Sequence, residues 1–216
     1  MCLKQSVKPR ASKLLSRLGI LCLLGASHGV GAWEDELVAA ALERTEQEVT
    51  YDGGYRALDY PGGDVPAHLG VCTDLVIRAY RALGLDLQQV VHQDMTKNFA
   101  QYPSEAMWGL SRPDANIDHR RVPNLQRYFQ RQGAALAITE RAEDYEAGDL
   151  VTWRLPGNLP HIGIVSTLSV NDANGRPPII HNIGAGPEVS DMLFTYPITG
   201  HYRFDPAKGH NTRAAR

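Results

Sequence analysis

One cysteine and two histidines have the types and positions needed for nucleophilic chemistry. Cys72 precedes a run of apolar residues at helical spacing, which predicts that it lies in the first turn of a helix. At that position, free backbone amides and the helix dipole stabilise a thiolate and lower the pKa of the thiol. His161 and His181 each lie in a short apolar segment typical of a strand. A thiol nucleophile needs such an imidazole as its base, and the base needs a third group that sets its tautomer.

These residues also have other interpretations. A buried cysteine is commonly a small hydrophobic core residue, and most histidines are partly exposed. An imidazole inside an apolar strand is different, because leaving it without a partner is costly. His161, His181 and His201 all lie on predicted strands and could instead bind zinc. No compact spacing of metal ligands supports that alternative, and we predict neither a metal nor a cofactor.

The elements that position these residues follow from the apolar pattern. Amphipathic spacing predicts helices over 33–50, 72–83 and 123–132. A Gly- and Pro-rich ordered loop is expected over 51–70, and 86–121 is expected to be mostly loop with a short helix. Short apolar runs separated by turn residues predict strands over 149–153, 161–166, 178–182 and 200–204. Helices followed by an antiparallel sheet indicate the α+β class, with N-terminal helices packed on a central sheet.

The first 32 residues have the layout of a secretory signal peptide. Five basic residues and no acid precede a short apolar run (LGILCLL), and small residues follow it up to Ala32. That run is too short for a membrane anchor, which needs about 20 residues. We therefore expect cleavage after Ala32, a single domain over 33–216, and a periplasmic or secreted protein with no membrane insertion after cleavage. Of the three cysteines only Cys72 would remain. Thiols in an oxidising compartment are usually paired or absent, so an unpaired cysteine there indicates a specific role.

Composition excludes several classes of protein. The chain of 216 residues is 43% hydrophobic and 21% charged, which is typical of an ordered globular protein. Without the five basic residues of the signal peptide, 17 basic residues face 24 acidic ones. An acidic remainder without a basic cluster gives no reason to expect nucleic acid or anionic membrane as a partner.

Four segments resemble the NlpC-like branch of the papain-fold cell-wall cysteine peptidases. They are GVCTDLVIRAYRALG, GDLVTW, PHIGIVS and IIHN. The resemblance implies a papain-like α+β fold, with Cys72 as nucleophile, His161 as base and His181 as the group that orients the base. It also implies that Tyr60, ahead of a glycine pair, places its hydroxyl near the oxyanion site. The implied reaction is hydrolysis of amide bonds in peptidoglycan peptides, with muropeptides as the partner.

A closer resemblance is to an exported bacterial family known as domain of unknown function 1287. The shared segments, between Thr50 and Phe204, are YDGGYRALDYPGGDVP, WGL, NIDHRRVPNL, LPGNLPHIGIV and ITGHYR. This resemblance covers nearly the whole mature chain. The family name implies no activity.

The chain departs from the NlpC pattern in ways that concern the substrate. Val-Cys-Thr-Asp replaces the usual Asp-Cys-Ser-Gly, and Asn182 replaces the usual Ala. The longer stretch between Cys72 and His161 carries two adjacent arginines, which could grip carboxylates bidentately or pair with the chain's excess acids. The candidate substrate contacts are Trp108, Arg120, Arg121 and Asn182.

Two other functions remain open at this stage. One is hydrolysis of a lipid or acyl amide by the same fold. The other is a wall-binding or scaffolding protein that has kept the cleft without turnover, since fold resemblance does not establish activity. The oligomeric state is not predicted.

Overall fold

The computed structural model of the protein describes residues 32–167 and 175–211. The predicted signal peptide lies outside this range except for Ala32, with which the first helix begins. Within these two ranges, no helix is both long enough and apolar enough to span a membrane.

Five of the helices lie in the first part of the chain, and a five-stranded sheet lies in the second. The helices are α1 (Ala32–Thr45), α2 (Cys72–Ala82), α3 (Leu87–Asn98), α4 (Ser104–Trp108), α5 (Val122–Arg131) and α6 (Pro206–Asn211). The strands are β1 (Thr50–Tyr51), β2 (Leu69–Gly70), β3 (Leu150–Leu155), β4 (Leu159–Val165), β5 (Ile179–Ile183), β6 (Gly186–Ser190) and β7 (Ile198–Tyr202). β1 and β2 form a short parallel pair, and the other five form an antiparallel sheet in the order β6-β5-β4-β3-β7. The predicted α+β class is confirmed.

Alternation along the strands divides the buried side chains between two faces of the sheet. Ile162, Ile164 and Ile180 pack with Leu75 and Val76 of α2 in the larger cluster of core residues. The second cluster, which includes Trp153, Val165 and Ile179, covers the opposite face. α2 is thus held against β4 and β5, the strands that carry the two histidines.

Three differences from the predicted elements have local causes. α3 occupies a region expected to be mostly loop. The carboxylate of Asp86 accepts the N–H of Gln88 and caps the helix, and Leu87, Val91 and Met95 are buried along one face. α1 ends at Thr45, because Thr50 pairs with Leu69 in β1–β2 and continues in extended form. β6, which was not predicted, pairs with β5 along its whole length.

Candidate active site

A buried ion pair fixes the start of α2. Cys72 is the first residue of the helix, and the preceding N–H of Val71 donates to Oδ2 of Asp74 at 2.7 Å. The guanidinium of Arg120 donates to both oxygens of Asp74, at 2.8 and 2.9 Å. The same guanidinium donates to the carbonyl oxygens of Asp52 and Gly54, each at 3.2 Å. We call residues 51–54 the strap, and Arg120 joins it to the helix start that carries the thiol.

The sulfur lies where two strands separate. The paired part of β4 and β5 ends at Gly163 and His181. Ile162 precedes Gly163 and lies just outside the part of β4 that is paired with β5. Its N–H donates to the sulfur of Cys72. On the other side of the gap, the side-chain amide of Asn182 donates to the carbonyl of Gly70 at 3.4 Å. The start of α2 therefore fills the gap between the strands, and the sulfur lies beside the peptide that joins His161 to Ile162.

The two histidines form a hydrogen-bonded pair on β4 and β5, the strands between which the sulfur lies. Nε2 of His161 is 3.2 Å from Nδ1 of His181, and the rings meet edge to face. Nε2 of His181 is 2.7 Å from Oγ of Ser190 and 3.5 Å from Oε1 of Glu188, both on β6. Nδ1 of His161 takes no part in the bond between the rings. It is therefore the nitrogen of His161 that can act as a base.

Burial sets the resting protonation states. It raises the pKa of the Cys72 thiol to about 11, although the N–H of Ile162, the hydroxyl of Tyr51 and the N–H of Thr73 all stabilise the thiolate. The expectation of a lowered thiol pKa was wrong. The side chain is only 3% exposed, and the thiolate loses more hydration energy on burial than the backbone amides at the helix start supply. Burial and the neighbouring His181 lower the pKa of His161 to about 3, and burial lowers that of His181 to about 4. At neutral pH the site holds a thiol and two neutral imidazoles.

The tyrosine at the thiol is Tyr51 and not the predicted Tyr60. The ring of Tyr60 packs edge-on against His92, with centroids 4.9 Å apart. Tyr51 pairs with Gly70 in the β1–β2 ladder, which brings its hydroxyl to the sulfur two residues further along. Both tyrosines stand two residues before a glycine pair, so the same sequence signal fits either one.

The four predicted substrate contacts occupy different environments. Arg120 is 6% exposed and committed to Asp74, so its assignment as a substrate contact was wrong. Asn182 is 1% exposed and supports the chain at Gly70, behind the start of α2, so it is not presented to a ligand. Arg121 and Trp108 are stacked at the surface, with the guanidinium 4.0 Å from the ring centroid. The backbone carbonyl of Arg120 accepts a hydrogen bond from the hydroxyl of Thr73 in α2. Arg121, which stacks on Trp108, is the next residue in the chain.

His201 does not join the other two strand histidines. Its Nε2 lies 2.8 Å from Oδ2 of Asp149 and its Nδ1 lies 3.0 Å from the carbonyl of Ala137. A zinc site formed by His161, His181 and His201 is therefore not what the fold builds. No group of three or more His, Cys, Asp or Glu side chains within the described residues is arranged to hold a metal ion.

Sequence reasoning missed three groups of the site, namely Tyr51, Glu188 and Ser190. Tyr51 had the glycine-pair signal described above. Glu188 and Ser190 lie on a strand that the sequence did not predict, and the alternating pattern of β6 is weak because it begins with Gly-Pro. Their contacts with His181 arise from the β5–β6 register, which pairs His181 with Glu188 and Ile179 with Ser190.

Comparison with known proteins places this arrangement in a family. The family description "Domain of unknown function (DUF1287)" matches residues 38–204. The chain is 53% identical over 164 residues to "Uncharacterized protein YijF" of Escherichia coli (strain K12), covering 76% of this chain and 78% of that protein. Among solved structures, "Structure of NlpC1 from Trichomonas vaginalis" matches with a TM-score of 0.41 and 16% identity. That match covers 79% of this chain and 44% of the other, and no activity follows from a partial overlap of this kind. The chain belongs to the family Domain of unknown function (DUF1287).

Proposed function

We propose that this protein is an exported cysteine amidohydrolase or endopeptidase that cleaves amide bonds in peptidoglycan peptides. The observation that carries the proposal is the position of Cys72. Its sulfur lies beside the peptide that follows His161, and His161 is hydrogen-bonded to His181 through Nε2, a bond that does not use Nδ1. The substrate class rests on the motifs shared with cell-wall peptidases, and the exported location rests on the N-terminal segment.

The chemistry follows from the groups around the sulfur. The sulfur attacks the amide carbonyl carbon while the thiol proton passes to Nδ1 of His161. The carbonyl π electrons move to oxygen, and the resulting oxyanion accepts hydrogen bonds from the Tyr51 hydroxyl and a backbone N–H at the helix start. The C–N bond then breaks as the His161 imidazolium gives its proton to the leaving amine. Water attacks the thioester with His161 again as base, which releases the acid and restores the thiol.

The resting protonation states determine how the reaction begins. With the pKa of Cys72 raised and that of His161 lowered, the thiolate–imidazolium pair is unfavourable in the free protein. The proton therefore passes from Cys72 to His161 only when substrate is bound, because attack on the carbonyl then consumes the thiolate as it forms. A substrate that reaches the sulfur also meets Tyr51, which is 42% exposed and whose hydroxyl is hydrogen-bonded to the sulfur.

One observation favours a second candidate function. Cys72 is 3% exposed and packs with Leu75, Val76 and Ile162 in the larger core cluster. A buried thiol with a raised pKa is also what an inert core cysteine shows. In that case the protein would be a wall-binding or scaffolding module that has kept the fold without turnover.

Muropeptide digestion distinguishes the two functions. Wild type, Cys72→Ala and His161→Ala are incubated with purified muropeptides, and released amines and product masses are followed. His68→Ala is the matched control, because the same change is made at an exposed histidine. We expect Cys72→Ala and His161→Ala to lose at least about 10³-fold in rate, with His68→Ala unchanged and all proteins equally folded. A fully active Cys72→Ala protein would overturn the proposal, and wild-type binding without turnover would favour the wall-binding module.

The pH dependence of Cys72 alkylation tests the resting state separately. Because burial raises the thiol pKa to about 11, the midpoint should lie above the value of about 8.5 for a free cysteine. His161→Ala should move the midpoint little, since the imidazole stays neutral in this range. A midpoint well below 8.5 that His161→Ala abolishes would show a pre-formed ion pair and contradict the electrostatics described above.

A further inference from the structure

The hydrogen-bonded chain at the two histidines continues beyond His181. It runs from His161 through both rings to Ser190 on the edge strand β6, whose Oγ is 2.7 Å from Nε2 of His181. The carboxylate of Glu188, on the same strand, lies 3.5 Å from that nitrogen, at ion-pair distance. His161 and His181 are 1% and 2% exposed, whereas the carboxylate side chain of Glu188 is 50% exposed. The chain thus connects a buried base to a charged group at the surface.

Two proton arrangements are compatible with this chain, and only one leaves a working base. The hydrogen bond between the rings requires one proton between Nε2 of His161 and Nδ1 of His181. If that proton is on His161, its Nδ1 is bare and can take the thiol proton. If that proton is on His181, the proton of the neutral His161 ring is on Nδ1, and the ring cannot act as a base toward the sulfur.

The groups on β6 decide between these arrangements. The hydroxyl of Ser190 can donate or accept, so it fits both. The carboxylate of Glu188 only accepts, so it favours a proton on Nε2 of His181 and disfavours a bare lone pair there. With the proton of His181 on Nε2, its Nδ1 has to accept from His161. The arrangement with a bare Nδ1 on His161 is then the stable one.

We propose that Glu188 and Ser190 are positioning residues that hold the proton of His181 on Nε2 and thereby keep Nδ1 of His161 free to accept the thiol proton. This inference rests on the proposed function, because the free nitrogen has a use only if Cys72 is a nucleophile. The β5–β6 register is the structural device, since it pairs His181 with Glu188 directly across the ladder. Neither residue contacts the sulfur, and both act through His181.

Long-range ¹H–¹⁵N NMR of the imidazole rings tests the proposal without substrate. In the wild-type protein at pH 7, we expect both His161 and His181 to carry their protons on Nε2. Glu188→Gln should shift the ratio of the two tautomers of His161 toward Nδ1–H by about fivefold to tenfold, because the carboxylate charge 3.5 Å from Nε2 of His181 is lost. Glu188→Lys should shift the tautomer ratio further. Glu188→Asp, which keeps a carboxylate, should leave the ratio close to that of the wild-type protein. Glu143→Gln is the charge-matched control, because Glu143 is similarly exposed and pairs with Arg141.

The outcomes separate this inference from the proposed function. A proton on Nδ1 of His161 in the wild-type protein would overturn the inference, as would a tautomer ratio that Glu188→Gln and Glu188→Lys leave unchanged. The predicted tautomers in a protein that never hydrolyses muropeptides would refute the proposed function and leave the assignment of Glu188 and Ser190 standing. In an active protein, the double variant Ser190→Ala with Glu188→Gln should have a lower kcat and an unchanged KM. Replacing Ser190 with Thr instead of Ala in the same double variant should recover part of the lost kcat.

Discussion

Replacing Arg120 with methionine should destabilise the protein far more than the same change at its neighbour Arg121. The Arg120 and Asp74 side chains are 2% and 4% exposed and share two hydrogen bonds of 2.8 and 2.9 Å. Arg120→Met leaves the charge of Asp74 buried without a positively charged partner, which costs about 3–5 kcal/mol. It also removes the donors to the carbonyl groups of Asp52 and Gly54 in the strap.

Arg121 supplies the matched control for this prediction. Its side chain is 20% exposed, 3.4 Å from Asp118, and stacked on Trp108. Asp118 is buried, but its carboxylate keeps the N–H of Asp114 at 2.6 Å and the amide of Asn124 when Arg121 is removed. Loss of the 3.4 Å contact and of the surface cation–π contact should therefore cost only about 1 kcal/mol. Urea unfolding at pH 7, followed by circular dichroism, measures both variants on the same scale.

A double variant distinguishes loss of the ion pair from loss of packing. Asp74→Asn together with Arg120→Met removes both charges, and the asparagine oxygen can still accept the N–H of Val71. We expect the double variant to recover at least about 1 kcal/mol relative to Arg120→Met alone. The reasoning fails if Arg120→Met is no more destabilising than Arg121→Met, or if the double variant is as unstable as the sum of the two single changes.

Two further predictions concern acid stability and the approach of β4 to β5. Burial lowers the pKa of His119 to about 3 from 6.5, so below pH 6.5 the unfolded chain binds a proton that the folded chain does not. This residue therefore lowers the free energy of unfolding by about 1.4 kcal/mol for each pH unit between pH 6.5 and about pH 4. His119→Leu should remove that contribution to the pH dependence, as measured by urea unfolding at several pH values. An equal pH dependence in the variant and the wild-type protein would contradict the prediction. A Cβ at Gly163 would lie 2.5 Å from Cγ2 of Ile179, so Gly163→Ala should cost about 1–3 kcal/mol in the same assay. Gly53→Ala, whose Cβ meets only Cγ1 of Val71 at 3.6 Å, is the control, and equal effects of the two changes would refute the packing argument.

Local patterns predicted much of the fold. The start of α2 at Cys72, the start of α5 near Pro123 and the strands that carry His161 and His181 follow from apolar spacing and from helix-terminating residues. α3 had an equally local signal, the Asp86 cap followed by Leu87, Val91 and Met95, so its absence from the prediction was a misreading of the sequence. The strand β6 had no such signal, because its pattern begins with glycine and proline.

The sequence by itself determined which residue types could do chemistry and which elements carry them, because helix starts and strands are encoded by neighbouring residues. Only the tertiary structure decided that Tyr51 rather than Tyr60 meets the thiol, and that Arg120 is buried while Arg121 is not. In both cases two residues share the same local signal, and contacts with distant segments separate them. The same holds for the raised pKa of Cys72, since the burial that raises it comes from strands and a strap far from the cysteine in the chain, whereas the helix start that would lower it is local.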